Sequence, residues 1–152
     1  MKGFTFQLQP VLEHRQRIED EKQQQVAIRQ RALDDAEREL RRLNDDFREY
    51  SERLRSGHKG LTTEELRLFY AHLQFLDRNI VAQIRVVAER RVAVDRARLE
   101  LLAARKERKV VEKLKEKRRL AFISEELRVE QNELDDGNAR SYGRTARGGT
   151  SA

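Results

Sequence analysis

Three histidines, His14, His58 and His72, are the residues best suited to hold a metal or move a proton. A helical zinc site sets two histidines four residues apart on one face, and a general base needs a partner within hydrogen-bond reach. None of the three has another histidine at i,i+4, and no HExxH pattern occurs. The seven glycines form neither GxxxxGK[ST] nor GxGxxG, the loops whose backbone amides cradle phosphate. Acid pairs such as Asp45-Asp46 and Glu64-Glu65 lie in charged helical patterns, where solvated carboxylates are ordinary. The chain has no cysteine, hence no thiolate ligand and no disulfide. These patterns predict a chain that is not an enzyme, with no catalytic, cofactor-binding or metal-ligating residues. Its chemistry must then lie in surfaces.

Two stretches offer such surfaces. The segment from Arg105 to Arg119 carries nine basic and three acidic residues, a net of +6 that equals the excess of the whole chain. A basic helix can release counterions from phosphates, which is the physical case for nucleic acid. Against it, Glu107, Glu112 and Glu116 stand at i,i+3 or i,i+4 from cations, and no base-reading Asn occurs in the segment. A protein-binding surface, a solvated face and a nucleic-acid arm all remain open on charge pattern alone. The second stretch is Leu68, His72, Phe75, Asn79, Ala82 and Val86, which broadens an apolar helix face beyond what one partner helix covers. Leu68, Tyr70, Phe75 and Val86 are expected to stay partly exposed there and to mark an interface.

Long helices must position these residues. Charged residues make up 39% of the 152 and aromatics 6%, too polar for a thick core, yet the apolar residues recur at heptad spacing. In the first pattern a falls at Leu12, Glu19, Val26, Leu33, Leu40, Phe47 and Leu54, and d at Leu8, Arg15, Lys22, Arg29, Ala36, Leu43 and Tyr50. In the second, a falls at Leu66, Leu73, Ile80, Val87, Val94 and Leu101, and d at Phe69, Leu76, Gln83, Arg90, Ala97 and Ala104. Continued, that register puts Arg108, Lys115 and Phe122 at a. Cations at a and d predict a looser seam toward the chain ends, or one that waits for a partner.

Between the patterns, Ser56-Gly57-His58-Lys59-Gly60-Leu61-Thr62 holds two glycines that can end a helix, and Thr62 with Glu65 forms a capping box that restarts one. The single proline, Pro10, suits a first helical turn. The predicted fold is all-α: an antiparallel two-helix coiled-coil hairpin over residues 1–134, with helix one about 8–55, the turn about 56–62 and helix two about 63–133. Residues 135–152, rich in Gly, Ser and Thr and without period, are expected to be a disordered tail. With the turn centred near Gly57 to Lys59, Leu43 is expected beside Leu73. The N-terminus lacks a signal-peptide pattern and no apolar run approaches the length of a membrane span, so a cytoplasmic chain is expected, peripheral at the membrane through partners alone.

The opening Phe4-x-Phe6-x-Leu8-x-Pro10-Val11-Leu12-x-x-Arg15, the tract Leu40-x-x-Leu43 through Phe47-x-x-Tyr50, and Glu112-Lys113-Leu114-Lys115-Glu116-Lys117 together resemble the FliJ family over roughly residues 3 to 130. FliJ is the small coiled-coil component of the bacterial flagellar type III export apparatus, similar to the central stalk of rotary ATPases. The resemblance implies three partners: the hexameric export ATPase, an export-gate membrane protein and export chaperones, with no nucleic acid. It assigns an ATPase-binding end to Phe4, Phe6, Leu8, Leu12, Arg15, Arg108, Lys115 and Arg118, and a gate-facing surface to Phe47, Tyr50, Tyr70 and Phe75.

Overall fold

The computed structural model describes residues 3–148. Helix α1 spans Gln9–Gly57, a single 3-10 turn spans His58–Gly60, and α2 spans Thr63–Arg147; no strand occurs among the described residues. The fold is the expected all-α pair of antiparallel helices. Pro10 sits in the first turn of α1, where the Gln9 amide donates to the Phe6 carbonyl at 3.1 Å and the Leu12 amide to that of Leu8 at 3.0 Å. A missing proline donor costs nothing there. The capping box forms in full: the Glu65 amide donates to Thr62 Oγ1 at 3.2 Å, and the Thr62 amide to Glu65 Oε2 at 3.1 Å.

The turn differs from expectation. Gly57 ends α1 at φ −101° and ψ 2°, and no described glycine has a positive φ, so the chain reverses without the left-handed freedom that glycine offers. Helix α1 therefore runs further, and the reversal centres near Gly60. The facing register moves with it. Leu43 shares a groove with Leu76 and Asn79, while Leu73 lines another with Ser51 and Leu54, so the expected pairing of Leu43 with Leu73 is replaced.

Two compact units make up the chain. The turn unit is Arg17–Arg105; the terminal unit comprises the residues up to Gln16 and those from Lys106 onward. In the turn unit, Leu33, Ala36, Val87 and Val94 form the core, with Leu40 and Val86 packed against it. Leu43, Leu76, Ala97, Leu101 and Ala104 are buried as well, and every buried residue of this unit holds an a or d position. Val94, 1% exposed, is the most deeply buried, worth about 1.5–3 kcal/mol in apolar burial for a side chain of that size. Gln83 at d keeps the seam satisfied by donating Nε2 to the Ala36 carbonyl at 2.9 Å. Val86, expected to stay partly exposed, is half-buried at the edge of the core.

In the terminal unit, Phe6 and Leu12 are buried. Helix α2 runs on to Arg147, beyond the end expected near residue 133. From Leu127 to Gly148 every residue is exposed, which accounts for the missing apolar period: nothing packs on this stretch, so nothing selects apolar residues at helical spacing. Its backbone is held by local bonds such as Thr145 Oγ1 to the Tyr142 carbonyl at 2.9 Å, and an unpacked helix of this kind is marginal in water. Residues 149–152 lie outside the described residues.

Candidate functional site

In the terminal unit the Phe-x-Phe segment before α1 supplies what the heptad lacks. Where α2 offers cations at a, Phe6 turns inward to 6% exposure, and the Arg118 guanidinium lies over its ring at 5.8 Å. Phe4 meets Phe122 at 5.7 Å between ring centroids. Leu12 is buried and Leu8 half-buried on the same stretch. Lys115 Nζ donates to Gln9 Oε1 at 2.8 Å, Arg15 pairs with Glu107, and Arg108 pairs with Glu112 at 2.6 Å. Thus all eight residues assigned to one end by resemblance, Phe4, Phe6, Leu8, Leu12, Arg15, Arg108, Lys115 and Arg118, do come together in one unit. Among the described residues of this unit Phe6 and Leu12 alone are buried, so the seam is sparsely packed, as its cations led one to expect.

Two of the cations at d have partners. Arg15 meets Glu107, and Lys22 Nζ meets Glu100 at 3.2 Å; both glutamates hold g positions of α2, beside the d row. Glu107 thus serves α1, where the sequence pointed to cations on its own helix. Glu112 and Glu116 do pair locally, with Arg108 and with Arg119 at 3.5 Å. Glu19 at a keeps 14% of its side chain exposed and faces Arg105 at 3.4 Å. Exposed pairs of this type contribute about 0–1 kcal/mol each, so they set register more than stability. Within the basic segment, Arg105, Arg108, Lys115, Arg118 and Arg119 are engaged by the chain itself, and Lys106, Lys109, Lys113 and Lys117 remain exposed.

In the turn unit, the four residues assigned to a gate-facing surface divide. Tyr50 lies 4.3 Å from the His72 ring and 6.2 Å from Phe69, His72 stacks toward Phe75 at 6.2 Å, and Arg53 covers the Tyr50 ring at 5.6 Å. Tyr50, Arg53, His72 and Phe75 share a groove with Leu43, Asp46, Leu76 and Asn79. Tyr70 lies elsewhere. It lines a groove with Ser51, Leu54 and Leu73, on the other side of the α1–α2 seam, because five residues at about 100° each turn Tyr70 about 140° from Phe75. Phe47, half-buried, is one heptad before Leu54 and shares its face of α1. The expected single patch is therefore two grooves flanking one seam.

His72 is an aromatic neighbour of Tyr50, His14 is exposed, and the side chain of His58 lies outside the described residues. Among the described residues no group of three or more His, Cys, Asp or Glu is arranged to hold a metal ion, and no helix is long and apolar enough to cross a membrane.

These features define a two-helix coiled-coil protein. A family model for the flagellar FliJ protein matches residues 4–147. The chain belongs to that family, and with it to the components of flagellar type III protein export. Among solved structures it is similar to a protein described as a YscO homolog, CT670 from Chlamydia trachomatis, at 20% identity and a TM-score of 0.65, over 95% of this chain and 99% of that one. At that identity the likeness is one of fold. A search of curated protein sequences gives no significant match.

Proposed function

We propose that the chain is a non-enzymatic adaptor of the flagellar export apparatus, which binds the export ATPase hexamer through its terminal unit and engages the export-gate membrane protein and export chaperones. The family match over residues 4–147 carries this reading. It works in the cytoplasm, peripheral at the membrane through its partners alone. On the ATPase side, Phe6 and Leu12 act from inside as the packing that fixes Phe4, Leu8, Lys115 and Arg118 at the surface, while Arg15 and Arg108 hold their glutamates. A cationic surface pinned on a small aromatic core suits an acidic partner, since complementary charge speeds encounter and fixes register. On the gate side, the groove of Tyr50, His72 and Phe75 offers aromatic faces at an exposed site, the composition enriched in interface anchors; Tyr70 lines the other groove, and Phe47 lies one heptad before its Leu54.

A pulldown of purified export ATPase with the full chain, run beside an electrophoretic shift with DNA and RNA at varied salt, tests this. ATPase capture that weakens on reversing Lys115 and Arg118, with helicity kept, supports the adaptor. Salt-sensitive nucleic-acid retention with no ATPase capture overturns it in favour of a nucleic-acid arm on residues 105–119.

A further inference from the structure

Helix α2 carries a second apolar face inside the turn unit, and nothing in the hairpin uses it. Val81, Ile84, Ala88, Val92, Leu99 and Leu102 are all exposed, Val92 at 59% and Leu99 at 67%. At 100° per residue they fall in a stripe about 80° wide, centred about 120° around the helix from the buried row of Leu76, Val87, Val94 and Leu101. Val81, Ala88 and Leu102 share one heptad position and Val92 and Leu99 another, so the stripe keeps the seven-residue count of the buried seam on a different face of the helix. An apolar stripe of about six turns is a second seam.

Charge says what fits it. From Arg78 to Arg98 the helix carries six arginines against two acids, Glu89 and Asp95. Arg78, Arg85 and Arg96, all exposed, border the stripe on one side; Arg91 and Arg98 border it on the other and reach Glu37 and Gln30 of α1. Asp95 lies within the stripe itself. We infer that Val81 to Leu102 of α2 form a docking face for an acidic amphipathic helix of a partner protein, apart from both surfaces described above. Its apolar row covers the stripe, its flanking carboxylates meet the arginines, and one cation opposite Asp95 sets the register, as a lone polar residue does in a coiled-coil seam. A second copy pairing stripe to stripe sets arginine rows against each other. An anionic bilayer suits the arginines, but the apolar residues of the stripe are all aliphatic, with none of the Trp or Phe that anchors a helix among headgroups.

Fluorescence anisotropy with the full chain tests this, using a labelled synthetic helix of about six turns with leucine every three or four residues, glutamate on both flanks and one central lysine. The expected results are binding at least about tenfold tighter than for the same peptide with lysine flanks, and a loss of about tenfold in V92S/L99S with unchanged thermal melting, since both residues are exposed. R85E/R96E is expected to invert the preference toward the lysine-flanked peptide. Equal binding of both peptides, or no inversion, overturns the inference. So does a self-associated species in sedimentation, or retention on phosphatidylglycerol vesicles, that V92S/L99S abolishes, because either result gives the stripe a different occupant.

Discussion

The turn unit and the terminal unit solve one problem with different materials. In the turn unit the buried core at a and d is aliphatic, and Leu33, Ala36, Val87 and Val94 bury themselves with no help from outside the heptad, although Glu19, Lys22, Arg29, Gln83 and Arg90 also hold seam positions there. In the terminal unit Arg15, Arg108 and Lys115 occupy seam positions, and closure falls to Phe4 and Phe6, which precede α1 and reach Phe122 and Arg118. A coiled coil thus tolerates cations at seam positions when glutamates stand at the neighbouring g positions and an aromatic segment supplies the missing apolar area. The result is a unit held by few buried side chains and rich in exposed charge, beside a unit held by many.

The largest effect should follow Leu33→Ala. This side chain sits in the core cluster of the turn unit, and its truncation should cost about 2–5 kcal/mol, toward the low end in so thin a core, with a matching fall in the circular dichroism melt. Phe6→Ala should act locally. Amide exchange is expected to rise through residues 110–122 while that of residues 76–101 stays near the parent's; equal loss in both would show that the two units share one cooperative core. Phe75→Ala and Tyr70→Ala should each change stability by within about 0.5 kcal/mol, as both are exposed. On opposite sides of the seam, they should nevertheless separate in an export or motility assay, with Phe75→Ala the more harmful. Identical export defects would restore the single patch.

The smallest effect concerns pH, and it is matched between the units. Hydrogen bonding to Arg42 holds the Glu39 carboxyl below its ordinary value, and Arg128 does the same for Glu125. A carboxyl depressed on folding contributes stability above its unfolded pKa and loses it as pH falls through the folded value. The melting difference between parent and Glu39→Gln should therefore be present near neutral pH and vanish in acid. Because both pairs are exposed, that difference should be slight, and a large one would mean that Glu39 does more than pair with Arg42.

Much of this was legible in the residues. The heptad placed every buried side chain of the turn unit, since a and d periodicity is what burial selects, and Thr62 with Glu65 announced the start of α2 to within a residue. The register was misplaced because Gly57 was read as a helix breaker, although glycine permits a left-handed turn without requiring one. Glu100 and Glu107 stood at g in the sequence, and their pairing with Lys22 and Arg15 could have been read from cross-helix spacing. Tyr70 and Phe75 were placed on one over-wide apolar face when their angular separation puts them apart. The stripe from Val81 to Leu102 escaped because its residues stand at b, e and f, away from the a and d seam that the heptad singles out. Burial of Phe6 could not be read from spacing, as it lies outside any helix.

The central claim is a division of labour, with the terminal unit meeting the export ATPase and the turn unit meeting other partners. Its most direct test is the affinity of the full chain for the purified ATPase hexamer, measured by calorimetry for the parent, K115E/R118E and Phe75→Ala. The account predicts that K115E/R118E weakens binding by at least about tenfold, roughly 1.4 kcal/mol, while Phe75→Ala binds as the parent does. Equal losses from both variants, or an ATPase affinity untouched by K115E/R118E, would contradict it.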